Sequence, residues 1–185
     1  MTVRVRQVHL LNVERCQPEP AELWDAVTEQ QLTDWENEWV PELLKAIERL
    51  EREGIESRHW PQSSHWNWRK KVEALRGMLA SPGFSIVCDG LTQGMMIVDT
   101  VKKRCRIDNQ KGKPLVYVEF VENAPWNRRE LCDSPRYRGV GSILMRAAIE
   151  LSVESEFGGR IGLHSLSQAH DFYAYLWHDG PWRRF

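Results

Sequence analysis

The segment SPRYRGVGSILMRAAIELS, Ser134 to Ser152, decides the fold of this chain. Arg136, Gly139 and Gly141 fit the pattern R-x-x-G-x-G, and an apolar-periodic helix is predicted to begin at about Ser142. Glycines let the backbone turn tightly and bring its N–H groups close to an anion. The first turn of the following helix adds unpaired N–H donors and the positive end of the helix dipole. Together these form a cradle for phosphate, most naturally a pyrophosphate. Two glycines ahead of a helix also make an ordinary strand-to-helix turn, so the neighbouring segments carry the decision. Rival phosphate loops fit poorly: there is no G-x-x-x-x-G-K-[ST], and Leu144 stands where a dinucleotide fingerprint has its third glycine.

Working outward, an apolar strand PLVYVEFVE (Pro114 to Glu122) precedes the loop. A second strand, GRIGLHSL (Gly159 to Leu166), and a second helix, SQAHDFYAYL (Ser167 to Leu176), follow the first helix. The series strand, R-x-x-G-x-G, helix, strand, and then a helix carrying A-x-x-F-Y, resembles the GNAT N-acetyltransferase superfamily. The resemblance runs from about Phe84 to Leu176 and is sharpest between Leu115 and Tyr173. The A-P-W-N wording at Ala124 to Asn127 is similar to that of uncharacterised bacterial GNAT-like proteins, and it lies in an insertion, ENAPWNRRELCDSP, which is unusual in relatives.

Periodicity and breakers extend the reading in both directions. Val3, Val5, Gln7 and His9 alternate in a first strand that ends near Val13. Pro18 and Pro20 are expected to open a mostly helical stretch to about Glu53, kinked or restarted at Pro41 and stopped by Gly54. A loop rich in Ser, Pro and Trp follows, then a helix through WRKKVEALRGMLA, ended by Ser81, Pro82 and Gly83. Strands are expected at Phe84 to Asp89 and Gly94 to Thr100, joined by a turn at Gly90 to Gln93. The second is extendable through Ile107 because Val101, Lys103, Cys105 and Ile107 alternate with basic residues. The expected fold is therefore α+β: a single domain over 1–185 with a GNAT-like mixed, mostly antiparallel central sheet flanked by helices. Its C-terminal end is short, because only Trp177 to Phe185 remain for the strands that relatives place there. A homodimer completing that short sheet is a possible partner arrangement.

The resemblance implies acetyl-CoA as co-substrate and transfer of its acetyl group to a primary amine by direct attack. On the motif, Arg138, Gly139, Val140, Gly141 and Ser142 supply the pyrophosphate contacts, with Arg136 as a positive partner. Tyr173 falls where many relatives keep a tyrosine facing the sulfur; a phenol with pKa near ~10 carries a proton to donate. Ala169, Phe172, Tyr173 and Leu176 also form a helical stripe, so packing is the plain alternative. The asparagine common before that alanine is Leu166 here. Glu119 and Glu122 lie on the central strand, where relatives often carry the base. In a regular strand they face opposite ways, whereas a bulge reverses that parity, and the sequence leaves both open. An ion pair of Glu122 with Arg128 or Arg129 is the structural alternative. The loop RHWPQSSHWNWRKK supplies candidate acceptor contacts at Trp60, His65, Trp66 and Trp68, and the insertion adds Trp126. Rings suit a planar substrate or a cation, while basic residues among them suit an anionic or nucleotide-like acceptor.

Composition narrows the rivals. A formal net charge of −1 over 185 residues gives no global pull toward nucleic acid or an anionic membrane. No apolar run approaches the ~20 residues that span a bilayer, and the N-terminus lacks the pattern of a signal peptide. The four cysteines are scattered without C-x-x-C spacing and read as reduced thiols of a cytoplasmic protein. No metal is expected, since the six histidines form no ligand pattern. The alternative function is a catalytically silent GNAT-like module that binds CoA or another protein. A nucleic-acid acceptor is unlikely, because it requires a basic face from residues such as Lys102, Lys103, Arg104 and Arg106, which otherwise read as solvated charges.

Overall fold

A computed structural model describes residues 3–75, 77–78, 82–166 and 173. Among the described residues seven strands form one sheet: β1 Val5–Asn12, β2 Gln17–Trp24, β3 Gly83–Cys88, β4 Leu91–Asp99, β5 Val116–Asn123, β6 Tyr137–Arg138 and β7 Ile161–Leu163. Their order is β6-β1-β2-β3-β4-β5-β7. Every neighbouring pair is antiparallel except β5 and β7. The helices are α1 Glu29–Asp34, α2 Val40–Arg52, α3 Trp68–Ala74 and α4 Val140–Glu154. This is the mixed, mostly antiparallel α+β architecture expected from the sequence.

Strand β4 shows how the two layers are built. Its run Gly94-Met95-Met96-Ile97-Val98 is buried on both faces, as the continuous apolar stretch requires. Met96 and Val98 join a core with Leu10, Leu23, Ile86, Val116 and the α4 residues Val140, Leu144, Met145 and Ala148. Met95 and Ile97 point the other way, to Leu32, Trp35, Trp39 and Trp68 of the α1–α3 layer. Full burial of a side chain such as Leu144 contributes about 1.5–3 kcal/mol. Gly94 is what lets α4 approach, because a Cβ there would lie 2.4 Å from Val140 Cγ1.

The expected helix from Pro18 is corrected. Residues 17–24 form β2, paired along its whole length with β1. Only Ala21 to Trp24 pair with β3, so the half that carries Pro18 and Pro20 has no full neighbour on its second side. The Pro20 carbonyl faces Cys88, whose thiol donates to it at 3.4 Å. The missing proline N–H groups therefore fall on the side away from β1, where no ladder needs them. Helix begins only at Glu29. The expected disturbance at Pro41 takes the form of a π-helical turn over Trp35–Trp39, in which the Val40 N–H donates to Trp35 O. The wider turn absorbs the proline ring and the lost donor. Gly54, at φ +74°, ends the helix as expected.

The β3–β4 turn is tighter than expected. Cys88 pairs with Leu91, leaving Asp89 and Gly90 as a two-residue turn with φ of 52° and 71°. That is the Asp-Gly turn whose twist suits a hairpin. The extension of β4 through Ile107 is also corrected. The Asp99 carboxylate accepts from the backbone N–H groups of Val101 and Lys102 and turns the chain away. Val101 and Ile107 are exposed, and of the alternating apolar residues Cys105 alone is buried. Helix α3 stops at Ala74, short of the predicted end, and α4 starts at Val140 rather than Ser142. The Ser167–Leu176 helix, apart from Tyr173, and the Trp177–Phe185 tail lie outside the described residues.

Candidate acyl-transfer site

Strand β5 sets the site. Ile97 pairs with Phe120 but Val98 pairs with Val118, so Glu119 is an extra, bulged residue. Before the bulge Val116 and Val118 face α4. After it, Val121 packs on the α4 side and Phe120 on the α1–α3 side. The bulge thereby reverses the strand parity and sends Glu122 to the α3 side as well, where it meets Trp68. Of the two arrangements the sequence left open, this is the bulged one.

Pairing between β5 and β7 covers three residues, Val116 to Val118 against Ile161 to Leu163. It ends where the bulge begins, while β5 continues to Asn123. Among the described residues, the far half of β5 therefore has no strand partner on the β7 side. The N-terminus of α4 sits near the Asn123 end of β5, since Val140 packs over Gly94 and Gly94 pairs with Asn123.

The glycine turn ahead of α4 is left-handed at its first glycine. Gly139 is the N-cap of α4 at φ +99°, in the left-handed region, and offers no side-chain cap. Helix geometry leaves the N–H groups of Val140, Gly141 and Ser142 without intrahelical acceptors. Val140 and Gly141 are buried, Ser142 is half-buried, and Arg138 is exposed. Arg136 is partly engaged, its guanidinium lying 2.8 Å from Asp89 at the β3–β4 turn.

The two glutamates occupy different surroundings. Glu122 is buried; its carboxylate accepts from Trp68 Nε1 at 2.6 Å and from Arg128 Nη1 at 3.1 Å. Arg128 also donates to Ser63 Oγ and pairs with Glu130. Burial pushes the Glu122 carboxyl above the ordinary carboxylate range, against the lowering effect of Ser63, Arg128 and Trp68. Glu119 instead lines an open cavity of about 370 Å³ with Phe120, Lys70, Lys71 and Lys102. Tyr173 is half-buried against the α4 core, and burial raises its phenol pKa.

Trp66, Trp68 and Trp126 share the α1–α3 layer, and the Trp66 and Trp68 rings meet edge-on with centroids 6.4 Å apart. Trp66 stands edge-on to Phe120, with ring centroids 5.3 Å apart. Trp68, expected to touch substrate, is corrected to a core residue with no exposed surface. Trp60 is half-buried and donates to the Ile55 carbonyl, while His65 is exposed. Trp126 donates to Gln93 Oε1 at 2.8 Å.

Gln93 is a residue that sequence reasoning missed. It is the extra residue of a second bulge, in β4 against β3, and it is fully buried. Its oxygen accepts from Trp126 and Asn127, and its amide donates to the carbonyls of Cys88 and Leu91. Asn127 Oδ1 then accepts from the Tyr137 N–H, two residues before Gly139. The A-P-W-N segment thus ties the chain ahead of Gly139 to the sheet. The signal available was the polar-glycine pair Gln93-Gly94 inside an apolar strand.

No protein-family model matches the chain, and no curated protein matches it. Solved structures do. A tetramutant of the BH1408 protein from Bacillus halodurans is similar over 94% of this chain and 91% of its own, with a TM-score of 0.51 at 12% identity. The aminoglycoside N-acetyltransferase AAC(6')-Iy in complex with CoA gives 0.48 at 12% identity, covering 95% and 84%. AAC(6')-IG from Acinetobacter haemolyticus gives 0.47 at 14%, covering 95% and 87%. At these identities the likeness to the BH1408 protein is one of fold alone. Among the described residues no group of His, Cys, Asp and Glu side chains is placed to hold a metal ion, and no helix is long and apolar enough to cross a membrane.

Proposed function

We propose that the protein is an acyl-CoA-dependent N-acyltransferase that moves an acetyl group from acetyl-CoA to a primary amine. The observation that carries this reading is the left-handed Gly139 turn, without a side-chain cap, that opens α4 near the end of β5 lying past its pairing with β7. The pyrophosphate would be held by the amides of Val140, Gly141 and Ser142, with Arg138 and Arg136 as cationic partners. The bound co-substrate supplies the activated carbonyl of a thioester.

The rest is work for side chains of this chain. The amine nitrogen attacks the thioester carbonyl; a C–N bond forms, the C–S bond breaks, and the sulfur leaves as a thiolate. The nitrogen gives up a proton, which Glu119 takes directly or through water, because it faces the open cavity. Glu122 has both oxygens committed to Trp68 and Arg128 and acts as the scaffold beneath. The thiolate gains its proton from Tyr173, whose raised phenol pKa keeps it protonated at neutral pH. Release of free thiol from acetyl-CoA, followed against a panel of amines, tests the reading. Turnover that needs both acetyl-CoA and an amine supports it. A protein that binds CoA and acetyl-CoA alike and never releases thiol would be the silent module instead.

A further inference from the structure

The cavity beside the β5 bulge has a charge pattern that specifies its occupant. Lys70 and Lys71 reach it from α3, Lys102 from the loop after β4, and Glu119 from the bulge itself. Three cations thus surround one carboxylate. The aromatic surface is already taken, since Lys71 Nζ lies 3.4 Å from the Phe120 ring centroid and 4.8 Å from that of Trp66. A cationic substrate finds those ring faces covered by a like charge. Lys102 is partly drawn off toward the buried Asp99, at 3.7 Å, and keeps most of its surface in water. At about 370 Å³ the space lies near the lower end of the ~300–1,000 Å³ typical of small-molecule sites.

We infer that the acceptor is a small zwitterion, a primary amine carrying an oxyanion on the same molecule, with its ammonium end at Glu119 and its oxyanion at Lys70 and Lys71. The oxyanion is a carboxylate or a phosphate; both accept charge-assisted hydrogen bonds from ammonium groups. A polyamine or aminoglycoside, which brings several cations, is disfavoured by the same three lysines. This inference rests on the acyltransferase reading and narrows its substrate class.

The test compares four amines with the full chain and acetyl-CoA: β-alanine, phosphoethanolamine, ethanolamine and spermidine. Thiol release gives kcat/KM, and calorimetry gives direct binding of each amine without acetyl-CoA. The expected result is a kcat/KM at least tenfold higher for β-alanine or phosphoethanolamine than for ethanolamine or spermidine. The order of the first two tells carboxylate from phosphate. Lys71→Met should raise KM for the preferred amine at least tenfold while acetyl-CoA affinity holds. Lys70→Glu, at an exposed position, should do the same and guards against a folding defect. Ethanolamine or spermidine used as well as the anionic amines, or an unchanged KM in Lys70→Glu, overturns the inference. If acetyl-CoA does not bind, the transfer reading fails by itself. The pocket is then judged by calorimetry, where heat from phosphoethanolamine or β-alanine that Lys70→Glu abolishes sustains it, and none from either anion ends it.

Discussion

Glu122 keeps its carboxylate on the Trp68 indole and the Arg128 guanidinium, yet burial still holds its pKa above the ordinary range. The sign of the pH effect follows. Below about pH 4 the carboxyl is protonated in both states. As pH rises, the unfolded chain releases its proton first, so stability falls until the folded pKa is passed. Glu122→Gln should remove that fall, and urea denaturation between pH 4 and 8 should show the wild type losing ground to the variant as pH rises. A variant that instead weakens steadily with rising pH would mean the ionised Arg128 pair dominates. Tyr173 carries a different expectation. Tyr173→Phe should slow turnover by ~10²-fold if the phenol protonates the leaving sulfur, with acetyl-CoA affinity unchanged; an unaltered rate would reduce Tyr173 to a packing residue.

Between elements, the Gln93 clamp and the Gly94 contact bind helix, insertion and sheet into one unit. Gln93→Leu leaves the Trp126 indole and the Asn127 amide without their acceptor, at about 1–3 kcal/mol for each buried donor. Gly94→Ala places a methyl group 2.4 Å from Val140 Cγ1 and should cost about 1–3 kcal/mol through overpacking. Both are read by chemical denaturation. If either variant matches wild type, α4 is not seated on β4 as described. The turn into α4 was legible in the sequence because Gly139 takes a φ of +99° that other residues rarely adopt. Strand β2 was obscured because Pro18 and Pro20 look like breakers until one knows which edge of the strand lacks a full neighbour. The false extension past Asp99 has a different cause: alternation is necessary for a strand, but Val101 and Ile107 had no layer to bury against. The bulge at Glu119 leaves no mark in a run as regular as VYVEFVE, since it is set by the register of the neighbouring strand.

Across the whole molecule, the near-neutral charge of −1 provides no long-range attraction, so the proposed function rests on local features: the α4 terminus and the three-lysine cavity. The basic stretch at Lys102 to Lys113 lies on a mostly exposed loop. Acyl transfer to a nucleic-acid-borne amine would show affinity falling steeply with salt, and shallow salt dependence is expected instead. The most direct measurement is a titration of the protein with acetyl-CoA, with free CoA and ATP as comparators, following heat and thermal shift. Ligand at about 100 times its dissociation constant adds ~2.7 kcal/mol and should raise the melting temperature by roughly 5–10 °C. Gly139→Val together with Gly141→Val should abolish the shift, since a β-branched residue cannot readily adopt the φ of +99° at position 139. Binding lost in that variant is the predicted result; no binding by the folded wild-type protein would contradict the account, leaving the Gly139 turn an ordinary entrance to a helix.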